Sequence, residues 1–156
     1  NVLDIGCGGG ANVKRLLKLC PQGKVYGMDL SEESVAFARR HNAGELDRRC
    51  FIQQGDVCSL PYGDGAFDAV TAFETVYFWS SVSKALAEVF RVIRKGGCFL
   101  ISLEASDPEL GKAWTERIKG MTVYGAEELK QLLSQAGFSD IRVIQKKEEL
   151  HIVAHK

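Results

Sequence analysis

The first ten residues, Asn1-Val2-Leu3-Asp4-Ile5-Gly6-Cys7-Gly8-Gly9-Gly10, constrain this chain more than any other stretch. A short apolar run of the length of a buried strand passes straight into glycines. A helical pattern follows, with Val13, Leu16, Leu17 and Cys20 at i, i+3, i+4 and i+7. Strand, glycine turn and helix in that order are how α/β proteins hold nucleotides. Gly6, Gly8 and Gly10 keep side chains away from a ligand lying against the backbone. The helix beginning near Ala11 directs the partial positive charge of its N-terminus at the turn. Gly6-x-Gly8-x-x-Ala11 satisfies the dinucleotide fingerprint, and Asp29 falls where a ribose-binding acid would stand. Asp4 argues for a different ligand. A carboxylate two residues before the first glycine repels a pyrophosphate, but attracts a molecule carrying an ammonium and a sulfonium.

The rest of the chain must build the fold that holds this turn. At 156 residues and 46% apolar, the chain suits one domain with one sizeable core. Lys plus Arg and Asp plus Glu are 20 each with no block of like charge, so nothing in the balance recruits nucleic acid or an anionic membrane. No apolar run approaches the ~20 residues that cross a bilayer, and no signal peptide is visible, so a cytoplasmic protein is expected. Cys7, Cys20, Cys50, Cys58 and Cys98 are odd in number and widely spaced, which suits reduced thiols. His151 and His155 are four apart, a helical ligand spacing, but they fall in what reads as a terminal strand; no metal site is expected.

The elements follow in order. Lys24 to Leu30 reads as a second strand whose carboxyl end delivers Asp29, and Ser31 caps the helix Glu32–His41, leaving Asp29 free to hold ribose hydroxyls. Cys50–Gln54 is a third strand ending at Gly55-Asp56-Val57. After a turn-rich connector, Phe67–Phe73 is the fourth, with Asp68 opening it on the side away from any ligand. Phe73, Glu74 and Thr75 then emerge where open α/β sheets bind ligands, and Phe73 offers a ring face to a base or a cation. Tyr77, Phe78 and Trp79 either wall a pocket or anchor the next element. A helix capped by Ser80 or Ser81 keeps its apolar period through Val82, Leu86, Val89, Phe90 and Ile93 and is ended by Lys95-Gly96-Gly97; Cys98–Leu103 is the fifth strand. From Glu104 to Tyr124 the pattern is weak, and Trp114 reads as ordinary packing. A helix over Ala126–Ala136 leads to two strands, Phe138–Gln145 and Glu149–His155, whose three-residue connection requires a hairpin.

Asp4-x-Gly6-x-Gly8-x-Gly10, Asp29, Gly55-Asp56-Val57, and the run Glu88 to Gly97 before a strand together resemble class I S-adenosylmethionine-dependent methyltransferases of the small-molecule, type 11-like branch. Arg94-Lys95 stands where that family usually has Lys-Pro. The resemblance implies a Rossmann-like α/β three-layer sandwich, with a seven-stranded, mostly parallel sheet and an antiparallel C-terminal hairpin strand. It also implies S-adenosylmethionine as cofactor, S-adenosylhomocysteine as product, and in-line transfer of a methyl group to a small-molecule acceptor. Gly6, Gly8 and Gly10 would admit the methionine part, Asp4 would favour its positive charge directly or through water, Asp29 would hold the ribose and Asp56 with Val57 the adenine. Phe73 would cover the adenine or face the sulfonium, and Cys7, Leu30 and Gly55 complete the cofactor-binding candidates. Glu74, Glu104 and Tyr124 are candidates for a base, with nothing in the sequence to choose between them. Family members generally carry a helix ahead of the first strand, so residues 1–156 are expected to be the methyltransferase domain without it. An NAD(P)-dependent oxidoreductase is the alternative that leaves Asp4, Gly55-Asp56 and the hairpin unexplained. A catalytically silent scaffold is the alternative that would not need the cofactor residues intact.

Overall fold

The computed structural model describes residues 1–109 and 111–156. The order is β1 (Val2–Ile5), α1 (Ala11–Leu19), β2 (Val25–Asp29), α2 (Glu32–His41), β3 (Cys50–Gln54), β4 (Phe67–Phe73), a 3-10 turn (Val76–Phe78), α3 (Val82–Val92), β5 (Ile93–Leu103), α4 (Lys112–Arg117), α5 (Ala126–Gln135), β6 (Ser139–Lys146) and β7 (Glu149–His155). They form one seven-stranded sheet in the order β3-β2-β1-β4-β5-β7-β6. β7 runs antiparallel to both β5 and β6, while β1 to β5 pair in parallel. The two-residue connection between β6 and β7 forces that reversal, as the sequence requires.

All four residues of β1 are buried, because it sits between β2 and β4 with helices over the sheet. Alternation along the strands feeds two cores. Leu3, Ile5, Val70, Ala72 and Ile101 join Leu86 and Val89 of α3 and Leu129 and Leu133 of α5. On the opposite face Val25 and Ile52 join Val13 and Leu17 of α1 and Val35 and Ala38 of α2. The chain moves outward from β1 to β3 and returns to β4 on the other side of β1. That reversal splits the loops at the carboxyl edge and opens a crevice there.

Three features differ from the sequence expectation. Helix α3 stops at Val92, and Ile93 is extended and pairs with Phe67. Ile93 is wholly buried as the first residue of β5, so the helical period continued through an apolar residue that belongs to the next strand. The segment after β5 contains α4, a six-residue helix with no buried residue and so no apolar stripe to announce it. Trp114 on this helix is 52% exposed rather than packed.

Arg91 fastens the connector ahead of β4 to α3. Its guanidinium donates to the carbonyls of Tyr62 (2.7 Å) and Leu60 (3.0 Å) and to the carboxylates of Asp64 (2.9 Å) and Glu88 (2.8 Å), while Glu88 accepts the Leu60 N–H at 2.8 Å. A lysine cannot span these acceptors with one ammonium. Arg91→Lys is therefore expected to destabilise the fold by about 1.5–3 kcal/mol, the range for losing hydrogen bonds to a charged group, measured as a lower urea midpoint at unchanged slope.

Candidate active site

The crevice at the carboxyl edge is a cavity of about 670 Å³, within the usual range for small-molecule sites. Each neighbouring strand end contributes to its wall: Ile5 and Gly6 after β1, Met28 to Ser31 around the end of β2, Gly55 to Val57 after β3, and Glu74, Thr75, Phe78, Trp79 and Ser80 after β4. Of the sequence candidates, Gly6, Asp29, Leu30, Gly55, Asp56 and Val57 thus converge on one cavity. Asp4, Cys7, Gly8, Gly10 and Phe73 lie outside its wall. Ile5, Met28, Ser31, Thr75 and Ser80 belong to the wall but had no chemical signature; only their position at strand ends could have marked them.

The glycines of the turn have separate reasons. Gly6 has φ +67°, and a Cβ on it would collide with the Thr75 side chain, so only glycine lets the loops after β1 and β4 touch. Gly10 has φ +79°, and a Cβ would sit 2.6 Å from Asn42 Nδ2 and 2.9 Å from Ala38 Cβ. The buried Asn42 amide donates to the carbonyls of Gly10 (3.1 Å) and Ala38 (2.9 Å), locking α2 against the turn. The expectation that all three glycines make room for a ligand is corrected to this extent: Gly6 and Gly10 make room for protein, while a side chain at Gly8 would meet nothing within 4 Å.

Asp29 is held by two backbone groups. Oδ2 accepts the Gly8 N–H at 2.8 Å and Oδ1 accepts the Ser31 N–H at 2.9 Å. Each oxygen retains a lone pair, so the carboxylate is oriented but not saturated. Ser31 caps α2 by accepting the Ser34 N–H at 3.2 Å, which leaves Asp29 out of the cap. Asp56 accepts the Cys58 N–H through Oδ1 at 2.8 Å.

Asp4 differs from its expected place. Its side chain is 1% exposed and turns away from the cavity toward the α1 face of the sheet, where Oδ1 accepts the Thr71 hydroxyl at 2.7 Å and Oδ2 has no partner among the described residues. Burial pushes its carboxyl up to about 7, against the Thr71 bond and with a contribution from the Asp29 charge. Burial, with Asp4 and Asp29 nearby, also pushes the Cys7 thiol up to about 12.

The three aromatics after β4 divide. Tyr77 is 4% exposed and anchors the 3-10 turn, whereas Phe78, 51% exposed, and Trp79 face the cavity. The Tyr77 hydroxyl donates to Glu74 Oε2 at 3.1 Å and accepts the Ala105 N–H at 2.9 Å. Glu74 occupies a φ of +55°, which is uncommon for a residue with a side chain. Burial raises its carboxyl above the ordinary range, against hydrogen bonds from the Glu104 backbone and Tyr77. Glu104 and Tyr124, the other candidate bases, are not in the wall. Asp68 lies at the opposite edge and accepts from Arg94 Nε at 2.6 Å, a structural pairing. Among the described residues no cluster of His, Cys, Asp and Glu could hold a metal, and no helix is long and apolar enough to cross a membrane.

Residues 3–101, well over half of the chain, match the family described as a methyltransferase domain. The chain belongs to this methyltransferase family. It is 36% identical over 110 residues to a demethylmenaquinone methyltransferase from Symbiobacterium thermophilum, covering 69% of this chain and 43% of that protein. It is 38% identical over 100 residues to a fatty-acid O-methyltransferase from Mycolicibacterium smegmatis, covering 64% of this chain and 35% of that protein. The chain thus spans less than half the length of these relatives. A solved structure of Haemonchus contortus phosphoethanolamine N-methyltransferase 2 in complex with S-adenosylmethionine matches with a TM-score of 0.86 at 18% identity, covering 99% of this chain and 48% of that one. At that identity the likeness is one of fold. The overall fold of this methyltransferase-family domain is shared with its structural relatives.

The Asp4 geometry gives a pH signature. Its folded carboxyl titrates near 7 and its unfolded one near 3.8, so between these values the folded state holds a proton that the unfolded state has released. Stability is lost as pH rises through that window, by roughly 4 kcal/mol at most. Asp4→Asn removes the titration. Its stability relative to wild type should grow from pH 4 to pH 8 in urea denaturation, and a difference flat across that range would contradict the assignment.

Proposed function

We propose that this domain is an S-adenosylmethionine-dependent methyltransferase acting on a small-molecule acceptor. The observation that carries the reading is the convergence of Asp29, Gly55-Asp56-Val57 and Gly6 on one cavity at the switch point of the sheet. The donor set suits the cofactor. Asp29 keeps a free lone pair on each oxygen for the two ribose hydroxyls, its plane fixed by the Gly8 and Ser31 amides. Asp56 Oδ2, with no protein partner among the described residues, is available to an exocyclic amine of a base, with Val57 beside it. Gly8, where a Cβ would meet open space, leaves the backbone accessible to the amino-acid end of the cofactor. Asp4, buried beneath that turn, would act on the cofactor's positive charge through the field it adds, not by direct contact from the cavity wall.

When bound, S-adenosylmethionine supplies an already activated methyl group, so the protein's task is to bind, orient and exclude water. Fixing two reactants in register lowers a barrier by roughly 7–11 kcal/mol. The wall after β4, with Phe78 and Trp79, is the side on which an acceptor with an apolar body would lie. Membership of a family whose relatives include an enzyme named for demethylmenaquinone is consistent with such an acceptor.

Calorimetric titration with S-adenosylhomocysteine, S-adenosylmethionine and NAD tests the proposal. Micromolar binding of the first two and none of NAD is expected. Asp29→Ala should weaken adenosyl binding by about 10- to 100-fold, the loss of a hydrogen-bonded charged group. Binding of NAD alone would replace this reading with a dehydrogenase, and binding of neither adenosyl ligand would refute it.

A further inference from the structure

The cavity contains a carboxylate for which the cofactor has no evident use. Three acidic side chains line the wall, Asp29, Asp56 and Glu74, and no Lys, Arg or His lines it. Two of the three are held by backbone amides at the ends of β2 and β3 and suit the ribose and the base. Glu74 stands apart, on the β4 side of the wall that also carries Phe78.

Glu74 is also in an expensive conformation. A φ of +55° is strained for a residue with a long side chain, and such strain persists only where surrounding contacts over-determine it. They do so here. The Glu74 N–H donates to the Ser102 carbonyl at 2.9 Å, and Oε2 accepts the hydroxyl of Tyr77, which the Ala105 N–H fixes in turn. Glycine or asparagine would fit the backbone with less strain. The fold instead holds a carboxylate in the wall of the cavity, oriented by a phenol.

We infer that Glu74 is the acceptor-recognising carboxylate, and that the acceptor presents an N–H or O–H donor to it rather than an anion. The inference rests on the methyltransferase reading and names the substrate chemistry of the same site. A carboxylate accepts from amines and hydroxyls and repels another carboxylate or a phosphate. Among the described residues no Lys, Arg or His lines the wall to offset that repulsion, and His151 acts on Glu74 only from outside it. A protonated amine gains an ion pair in addition to the hydrogen bond, and the exposed Phe78 ring on the same side of the cavity favours both a cation and an apolar body.

The test uses the chain saturated with S-adenosylhomocysteine and three probes sharing one ring: 2-phenylethylamine, 2-phenylethanol and phenylacetate, each titrated by calorimetry into wild type and Glu74→Gln. The amide keeps the size of the side chain and can still accept from Tyr77. The amine or the alcohol should bind wild type at least about tenfold more tightly than phenylacetate. The preferred probe should lose about tenfold or more in Glu74→Gln, as expected for a charge-assisted hydrogen bond, and the ratio of amine to alcohol distinguishes the two donor types. Affinity for S-adenosylhomocysteine should be the same in both proteins. Equal or tighter binding of phenylacetate, no binding of the amine or the alcohol, or an unchanged probe affinity in the variant would each overturn the inference. So would a variant that loses affinity for S-adenosylmethionine but not for S-adenosylhomocysteine, because Glu74 would then serve the cofactor's charge. Failure of wild type to bind S-adenosylhomocysteine is a different result, which removes the methyltransferase reading beneath it.

Discussion

The carboxyl edge of this sheet is referenced to a single carboxylate. Asp29 sits at the end of β2 and accepts one N–H from the glycine turn after β1 and another from the start of α2. Two loops that diverge in sequence are thereby fixed to one rigid strand end. Around this point the fold removes side chains wherever backbones must meet: Gly6 lets Thr75 approach from β4, and Gly10 lets α2 approach from behind. The buried Asn42 amide completes the arrangement by joining the carbonyls of Gly10 and Ala38. The cavity is what remains between elements positioned for other reasons.

The two halves of the cavity are built differently. The half near β2 and β3 consists of short turns whose polar groups are oriented by backbone amides, which suits recognition of a fixed, polar ligand. The half after β4 consists of Glu74, Phe78 and Trp79 on a 3-10 turn, secured through Tyr77 to the backbone at Ala105 and Thr122. Its contacts run to the segment after β5, the least regular in the chain. Variation there would alter what the second half accepts and leave the first half intact, which fits a family whose relatives are named for chemically unrelated substrates.

Much of this was legible in the sequence because it depends on local pattern. The strand and glycine turn, the Ser31 cap that frees Asp29, the Gly55-Asp56-Val57 turn and the hairpin follow from residue order and spacing. What was not legible depends on partners distant in the chain. Asp4 pairs with Thr71, 67 positions away, so its seclusion from the cavity could not be read from its neighbours. The positive φ of Glu74 is imposed by Ser102, Tyr77 and Ala105, so it left no local mark and the sequence could not rank Glu74 above Glu104 or Tyr124. The end of α3 was misplaced because a helical period and a buried strand residue look alike at Ile93. The short helix α4 buries nothing, and an element without an apolar face has no periodicity to detect.

Cys7 lies inside the glycine turn, with two carboxylates close enough to help hold its proton on. A thiol with a pKa near 12 has almost no thiolate at neutral pH, and the thiolate is the reactive form. A turn beside the cavity proposed here for an electrophilic alkyl donor would be a hazardous place for a sulfur nucleophile. Burial, reinforced by the acidic neighbours, keeps this sulfur protonated and so poorly reactive towards the donor proposed for the cavity.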